Sequence, residues 1–227
     1  MPTWLMVLST TSLLLATGCA LWIATDVRRH PQHMAVMNVV WPVTALFGSV
    51  AAVWFYRRHG RAGGGEESTM PVSVAKGTLH CGAGCTLGDL VAETVSFLVP
   101  AVLVAFGYPA LFSERMFAVW ALDFVVAFVI GIAFQYFAIA PMRGLGPRDG
   151  ILAAVKADAL SLTAWQVGMY GLMAVLVFGV FRPVFGTQPS AASPVFWFAM
   201  QLAMLAGLAT AYPMNWWLVR SGVKERM

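Results

Sequence analysis

The chain has 227 residues, of which 59% are hydrophobic and 11% are charged, and its formal net charge at pH 7 is +4. A soluble domain carries roughly 25% charged residues, so this composition excludes a soluble globular protein and predicts an integral membrane protein. The basic excess is small and lies outside the apolar stretches, so it indicates membrane orientation, and no basic motif points to nucleic acid as a partner.

Six apolar stretches predict an all-α membrane protein with six transmembrane helices, since each stretch is close to the roughly 20 residues that cross a bilayer. We expect helices three to six to form a four-helix core bundle. The predicted helices cover residues 4–24, 34–56, 81–106 (or 86–106), 116–140, 151–181 and 194–219.

The first two stretches carry local features of their own. Ala16-Thr-Gly-Cys19 is similar to a lipoprotein cleavage site, but no Lys or Arg precedes the apolar stretch, which continues past Cys19. An uncleaved anchor is therefore favoured over a cleaved signal peptide. The second stretch contains Pro42, which predicts a kink.

One segment divides the chain. Residues 62–77 contain Gly63-Gly-Gly65 and two glutamates, a composition that predicts a flexible cytoplasmic linker. It separates a two-helix N-terminal membrane unit, residues 1–61, from a four-helix membrane domain, residues 78–227.

The distribution of Lys and Arg predicts the orientation. With six crossings, ten of the fourteen basic residues share a side with the linker and both termini, against Arg28, Arg29, Arg115 and Arg182 on the other. Because cytoplasmic loops carry the excess of Lys and Arg, both termini are predicted in the cytoplasm and the protein in the inner (plasma) membrane.

The third helix begins with the motif His80-Cys81-x-x-x-Cys85. Cys81, Cys85, Asp89 and Glu93 recur every four residues, which places them on one helix face. Thiolates and imidazole select soft or borderline metals, so His80, Cys81, Cys85 and Asp89 predict a site for copper or zinc.

Two other interpretations of the thiols stay open. Gly82 and Gly84 could break the helix and allow a disulfide between Cys81 and Cys85, which would suit a thiol oxidoreductase, although a standing disulfide is not expected in a reducing cytoplasm. The cysteines could also be chemically inert.

Polar residues inside the predicted helices form a second pattern. Charges in hydrocarbon usually face the bundle interior and pair with each other, so these residues predict a polar path or, alternatively, an ion-pair network that only fixes helix packing. The path residues are Glu93, Asp123, Lys156, Asp158, Gln201 and Asn215.

Methionine and small residues give weaker signals. Thioethers suit Cu(I), so Met34, Met37, Met169 and Met204 are weaker metal candidates, although methionine is also common in protein cores. The small residues spaced four apart from Asp123 to Gln135 predict a close approach between helices.

Several stretches together resemble the bacterial and archaeal membrane family called domain of unknown function four-three-nine-six, and the resemblance spans nearly the whole chain. The family has no settled activity, so the resemblance implies architecture and membership and assigns no catalytic residue. The stretches are Pro31-Gln-His-Met-Ala-Val-Met-Asn38, Val40-Trp-Pro42, His80-Cys-Gly-Ala-Gly-Cys85, Gly168-Met-Tyr-Gly171, Tyr212-Pro-Met-Asn-Trp-Trp-Leu-Val-Arg220 and Gly222-Val-Lys-Glu225.

These patterns predict a multi-pass membrane protein that binds or handles a soft transition metal, copper before zinc, as a transporter or accessory factor rather than an enzyme. A membrane thiol oxidoreductase and a non-catalytic scaffold are the alternatives. The expected partners are the lipid bilayer, a metal ion, and either another membrane protein or a second copy of the chain in a homo-oligomer.

Overall fold

The computed structural model describes residues 1–61 and 69–225, with all of their side chains except those of residues 141 and 142. The described part is mostly helical and contains no strand, so the all-α prediction is confirmed. Its six helices are α1 (Thr3–Arg29), α2 (Met37–Gly60), α3 (Met70–Leu98), α4 (Arg115–Arg143), α5 (Pro147–Phe185) and α6 (Pro194–Arg220).

Judged by total length and composition alone, five of these helices, all except α3, are candidate membrane spans among the residues described. With 29 residues α3 is equally long, but it carries His80, Asp89 and Glu93. These side chains are buried among the neighbouring helices, so the polar helix does not expose them to lipid.

The four C-terminal helices form a closed ring, here called the ring. In it α3 packs on α4, α4 on α5, α5 on α6, and α6 returns to α3, with the most extensive contact between α5 and α6. This is the four-helix bundle expected from the sequence. The N-terminal unit, α1 and α2, packs against the outside of the ring on α3 and α6.

Helix α2 reverses direction at Ser49, whose φ of 45° and ψ of −126° are not helical. The centroids of the Trp41 and Tyr56 aromatic side chains are 5.4 Å apart, and a Cβ at Gly60 would collide with the Trp41 indole. On a straight helix, residues fifteen positions apart would be separated by about 22 Å. The two halves of α2 therefore form a helical hairpin.

This hairpin corrects the prediction that residues 34–56 cross the membrane with a kink at Pro42. Each half has about a dozen residues and a length of about 18 Å, which is shorter than a hydrocarbon core of about 30 Å. The hairpin returns to the end of α1, where Arg61 forms an ion pair with Asp26 at 3.0 Å.

We name the two ends of the helix bundle after a residue that lies at each, and call them the Lys224 end and the Arg115 end. Ser12 and Gln201 are hydrogen-bonded at 2.8 Å, and each follows the start of its helix by two turns or so, so α1 and α6 run in the same direction. The start of α1 therefore lies at the Arg115 end and the end of α6 at the Lys224 end.

Helix α3 begins about ten residues earlier than predicted. It starts at Met70 with Pro71 in its first turn, where a missing N–H is tolerated. Residues 70–77 are thus helical rather than part of a linker, and residues 62–68 of the predicted linker lie outside the described residues. The helix ends at Leu98, before the predicted 106, because Pro100 disfavours a helical backbone in the preceding residue.

Candidate functional site

Small residues bring α3 and α4 into backbone contact. A Cβ at Gly84 would lie 3.3 Å from the Cα of Gly131, and a Cβ at Gly88 would lie 2.7 Å from the Cα of Ala127. This is the close approach that the small-residue stripe on α4 predicts. As a result, the polar side chains of α3 reach groups on both α4 and α5.

The two thiols of α3 meet in the ring interior. Cys81 and Cys85 are free and fully buried, and they lie one helical turn apart on the same face of α3. The Asp158 carboxyl of α5 lies beside Cys81, and a Cβ at Gly131 would collide with its Oδ2. The missing side chain at Gly131 therefore makes the room that this carboxyl occupies.

The glycines between the thiols do not break the helix. α3 is continuous from Met70 to Leu98, and a Cβ at Gly82 would collide with the indole of Trp165. Gly82 and Gly84 thus serve helix packing. Cys81 and Cys85 keep their one-turn spacing, which is awkward for an unstrained disulfide.

A buried lysine closes the site at the Lys224 end. The chain turns back after α6, and Nζ of Lys224 donates to Oδ1 of Asn215 at 2.8 Å. Nδ2 of Asn215 in turn donates to Oγ of Ser161 at 2.7 Å. Lys224 is only 3% exposed, and its charge acts on both Asp158 and His80.

Lys156, which the sequence analysis placed on the polar path, lies on the exposed face of α5. Lys156 is exposed, whereas Asp158 is buried, because two residues along a helix point to nearly opposite faces. Lys156 therefore does not face Asp158 in the ring interior. Asn215, by contrast, lies in the interior as predicted, where it holds Lys224.

His80 faces away from the thiol pair. The His80 imidazole packs against the Phe134 side chain, and the two aromatic centroids are 5.9 Å apart. Neither imidazole nitrogen has a hydrogen-bond partner among the described residues. Because consecutive helix residues differ by about 100° in direction, His80 and Cys81 do not share a face.

Acidic groups meet in the half of the ring nearer the Arg115 end. Asp89 on α3 and Asp123 on α4 act on each other electrostatically, and both are almost fully buried. Oδ2 of Asp123 accepts from the Tyr170 hydroxyl at 2.6 Å and from Nε2 of Gln166 at 3.2 Å. Glu93 lies one turn beyond Asp89 and is also buried.

The buried acids lack close cationic partners. Arg115, the cation nearest Glu93, directs its Nη2 to the carbonyl oxygen of Ser96 at 2.8 Å and to the Ser96 hydroxyl at 3.2 Å. Within residues 1–61 and 69–225, every ion pair lies at an end of the protein. None involves the four buried acids, which are Asp89, Glu93, Asp123 and Asp158.

The four predicted metal ligands do not surround one point. Cys81 and Cys85 lie one turn apart, His80 packs against Phe134, and Asp89 lies one further turn along, where Asp123 acts on it electrostatically. In the part of the chain that is described, no group of three or more His, Cys, Asp or Glu side chains is arranged to hold a metal ion. The thiol pair is what remains of the predicted set.

Gln201 is not part of the polar path. Its Nε2 donates to the carbonyl oxygen of Leu46 at 2.6 Å, and its Oε1 accepts from Ser12. Leu46 lies just before the reversal at Ser49, where the helical hydrogen-bond ladder is interrupted. Gln201 therefore satisfies a backbone carbonyl and joins the N-terminal unit to the ring.

The methionine candidates belong to the apolar core. Met37, Met169 and Met204 are buried in it, and Met34 is half-buried against it. The Thr86 hydroxyl lies 3.6 Å from the Met204 sulfur. Their surroundings are those of packing residues.

Sequence reasoning missed Lys224, Gln166 and Tyr170. The last two could have been found, because Gln166 and Tyr170 follow Asp158 at multiples of four residues and so share its helix face. Lys224 had no such signal, since it reaches the interior only because the chain turns back after α6.

One family model matches most of the chain. It is described as a domain of unknown function, DUF4396, and it covers residues 72–224. The matched region is the ring, with the thiol motif and the Asn-Trp-Trp segment inside it. The stretches between residues 31 and 42 that contributed to the resemblance lie outside the match. No curated protein and no solved structure matches the chain.

Proposed function

The chain belongs to the DUF4396 family, and from that premise we propose that it is a multi-pass membrane protein that binds Cu(I) between Cys81 and Cys85. It would act as a transporter or accessory factor in copper handling. The observation that carries the proposal is the pair of free, buried thiols that lie one helical turn apart inside the ring.

The thiol pair suits copper better than zinc. Cu(I) is a soft ion that a pair of thiolates can hold, whereas structural zinc sites almost always use four ligands. The described residues offer no group of three or more candidate ligands. Binding of Cu(I) therefore requires fewer additional ligands from this interior than binding of zinc does.

The electrostatics of the interior favour a cation as cargo. Four buried acids line the ring, and among the described residues only Lys224 places a buried ammonium group near one of them, Asp158. Acids that are buried without cationic partners attract positive charge or bind protons. The thiol pair lies between the acids of the two halves, so a cation entering from either end would meet it.

The same geometry supports an orientation in the membrane. Because α2 is a hairpin, only Arg115 and Arg182 of the thirteen Lys and Arg residues that the structure describes lie at the Arg115 end. The asymmetry is thus stronger than with six crossings. By the positive-inside rule, the Lys224 end and the C-terminus face the cytoplasm, and the N-terminus faces the opposite side of the inner membrane.

Cysteine labelling in cells tests this orientation. In a variant that lacks the native cysteines, we expect Pro2→Cys to react with an impermeant maleimide from outside. We expect Gly222→Cys to react only after the membrane is permeabilised. Labelling of both positions from the same side would contradict the orientation.

Copper binding by purified protein tests the function. We expect the wild type to retain stoichiometric Cu(I) against a colorimetric chelator and to lose it in Cys81→Ser and Cys85→Ser. Cys19→Ser is the matched control, because this half-buried thiol lies on α1, outside the ring. Equal copper in all four proteins would overturn the proposal.

The same cysteine variants separate the alternatives. A thiol oxidoreductase requires a reversible Cys81–Cys85 disulfide, which would appear as protection from alkylation that a reductant removes. A scaffold requires neither copper nor thiol chemistry. For a scaffold, both serine variants would keep wild-type behaviour in copper-stressed cells.

A further inference from the structure

A groove of about 600 Å³ lies between the α2 hairpin, α3 and α6, and we call it the hairpin groove. Its wall is mostly apolar, with Phe47 and Phe55 from the hairpin, Leu79 from α3 and Leu208 from α6. The volume falls within the range of about 300–1,000 Å³ that is typical of pockets for small organic molecules.

Small residues give the groove its depth. Ala51 of the hairpin, Ala75 of α3 and Ala209 of α6 all line it, and each contributes only a methyl group between larger side chains. The tip of the hairpin at Gly48 lies in the same wall. The groove therefore exists because the two halves of α2 turn back beside α3 and α6 without filling the space between them.

The groove opens sideways, towards lipid. Trp54 and Leu205 both line it, and they are 61% and 43% exposed. The two hydroxyl groups of the wall, on Thr44 and Tyr212, each donate to a backbone carbonyl oxygen, at 2.8 and 3.4 Å. An apolar cavity does not retain water, so a groove of this kind beside a bilayer takes up hydrocarbon.

On α6 the wall leads to a basic residue at the Lys224 end. Leu205, Leu208 and Tyr212 recur at intervals of three and four residues and so share one helix face. The same spacing continues through Trp216, whose aromatic centroid lies 6.1 Å from that of Tyr212, to the exposed Arg220.

The hairpin wall leads to a basic residue in the same way. Ala51 and Phe55 line the groove, and the exposed Arg58 follows them by seven and three residues. Tryptophan and tyrosine followed by arginine are typical of the membrane–water interface, so Arg58 and Arg220 lie at the level of lipid headgroups. Basic residues beside a groove between membrane helices attract anionic headgroups.

We propose that the hairpin groove binds an anionic phospholipid. One acyl chain lies between the hairpin, α3 and α6, and the headgroup lies beside Arg58 and Arg220. The lipid fills the space between the N-terminal unit and the ring on the side where they meet. The site uses neither the thiols nor the buried acids, so it does not depend on copper binding.

Native mass spectrometry of the full chain, delipidated in detergent and titrated with defined lipids, tests the proposal. We expect the wild type to retain one dioleoyl phosphatidylglycerol more tightly than dioleoyl phosphatidylethanolamine. Ala209→Phe places a large side chain in the groove and should weaken binding of phosphatidylglycerol about tenfold. Val129→Phe is the control, because Val129 is exposed on α4, outside the groove.

A second pair of variants tests the headgroup contact. Arg58→Gln combined with Arg220→Gln should reduce the affinity for phosphatidylglycerol to that for phosphatidylethanolamine, whose own binding should stay unchanged. Arg148→Gln is the matched control, because Arg148 is an exposed arginine at the Lys224 end of α5 and should not affect either lipid.

Several results would overturn the proposal. They are the absence of bound phosphatidylglycerol, equal wild-type affinity for the two lipids, and unchanged binding in Ala209→Phe. A dimer that excludes lipid and that Ala209→Phe dissociates would assign the groove to a second copy of the chain. If Ala209→Phe does not fold, Ala51→Phe on the hairpin wall decides by the same criterion.

Discussion

The N-terminal unit and the ring place their polar side chains in opposite ways. The unit, residues 1–61, contains a single acid, Asp26, which accepts hydrogen bonds from Tyr56 at 2.9 Å and Arg61 at 3.0 Å. The ring buries four acids and two thiols, and none of these acids belongs to an ion pair among the described residues.

This difference separates structural from functional polarity. Charge inside hydrocarbon is expensive, so it persists where an ion or proton must be bound, whereas a paired charge at a helix end needs no such reason. The family match leads to the same division, because it covers residues 72–224 and leaves out the N-terminal unit. We infer that ion chemistry belongs to the ring and that the unit supports it.

The largest expected effect on stability comes from replacing a tightly packed glycine of the ring, compared with an unpacked glycine of the N-terminal unit. Gly88→Val would force a side chain into the backbone of Ala127, whereas nothing lies within 4 Å of a Cβ at Gly18 on α1. We expect Gly88→Val to lower the free energy of unfolding by about 3 kcal/mol. Gly18→Val should change it by less than about 0.5 kcal/mol.

Thermal unfolding in detergent, followed by circular dichroism, measures both variants. Similar losses of stability at Gly88 and Gly18 would remove the contrast between a tightly packed ring and a loosely packed α1.

The second effect concerns the buried lysine. Lys224→Met leaves Oδ1 of Asn215 without its donor and leaves Asp158 without a nearby cation. We expect a loss of about 2 kcal/mol, typical of an unsatisfied buried polar group. Alkylation of Cys81 by a small maleimide should also become faster, because the side chain that closes the Lys224 end is shorter.

Lys156→Met is the matched control for this experiment. Lys156 is exposed, so its removal should leave both the stability and the alkylation rate close to those of the wild type. Equal effects of the two substitutions would argue that the interior does not depend on Lys224.

The sequence predicts the ring well and the N-terminal unit less well. Apolar stretches of bilayer length identify α4, α5 and α6 within a few residues, and the four-residue spacing puts Cys81, Cys85, Asp89 and Glu93 inside the ring. The reversal at Ser49 leaves no such trace. Both halves of α2 are apolar, so the stretch has the same hydropathy whether it crosses the membrane or turns back.

The sequence also does not determine which side chains contact each other inside the ring. Helical spacing places a side chain on a face, but it does not say which neighbour lies opposite that face. Asp123 and Gln201 were both predicted on the polar path, but Asp123 binds Tyr170 while Gln201 binds the Leu46 carbonyl oxygen. Such pairings depend on the relative rotation of packed helices, which follows from contacts such as Gly84 against Gly131.

A third, smaller effect tests the contact between the two regions. Gln201→Ala removes the donor to the Leu46 carbonyl oxygen and the acceptor for Ser12. We expect a loss of about 1 kcal/mol, since a neighbouring group or water can replace part of this bonding. Hydrogen exchange should increase selectively in α2, and uniform exchange over all helices would contradict a role for Gln201 in holding the hairpin.

The smallest effect is expected from the ion pair between Glu114 and Arg182 at the Arg115 end. Two hydrogen bonds from Arg182, at 2.9 and 2.5 Å, lower the pKa of Glu114 below its ordinary value of 4.5. A lowered pKa means that the ionised carboxylate stabilises the folded state above the ordinary pKa. This contribution is lost as the pH falls through the lowered value.

The melting temperature of the wild type should therefore exceed that of Glu114→Gln slightly at pH 7, and the difference should vanish below the lowered pKa. Both side chains are about one-third exposed, so water screens the pair and keeps the effect small. In an Arg182→Gln background the difference should be absent at every pH. A large difference at pH 7 would show that charge pairing at the ends of the ring matters as much as its interior, contrary to the contrast drawn between the two regions.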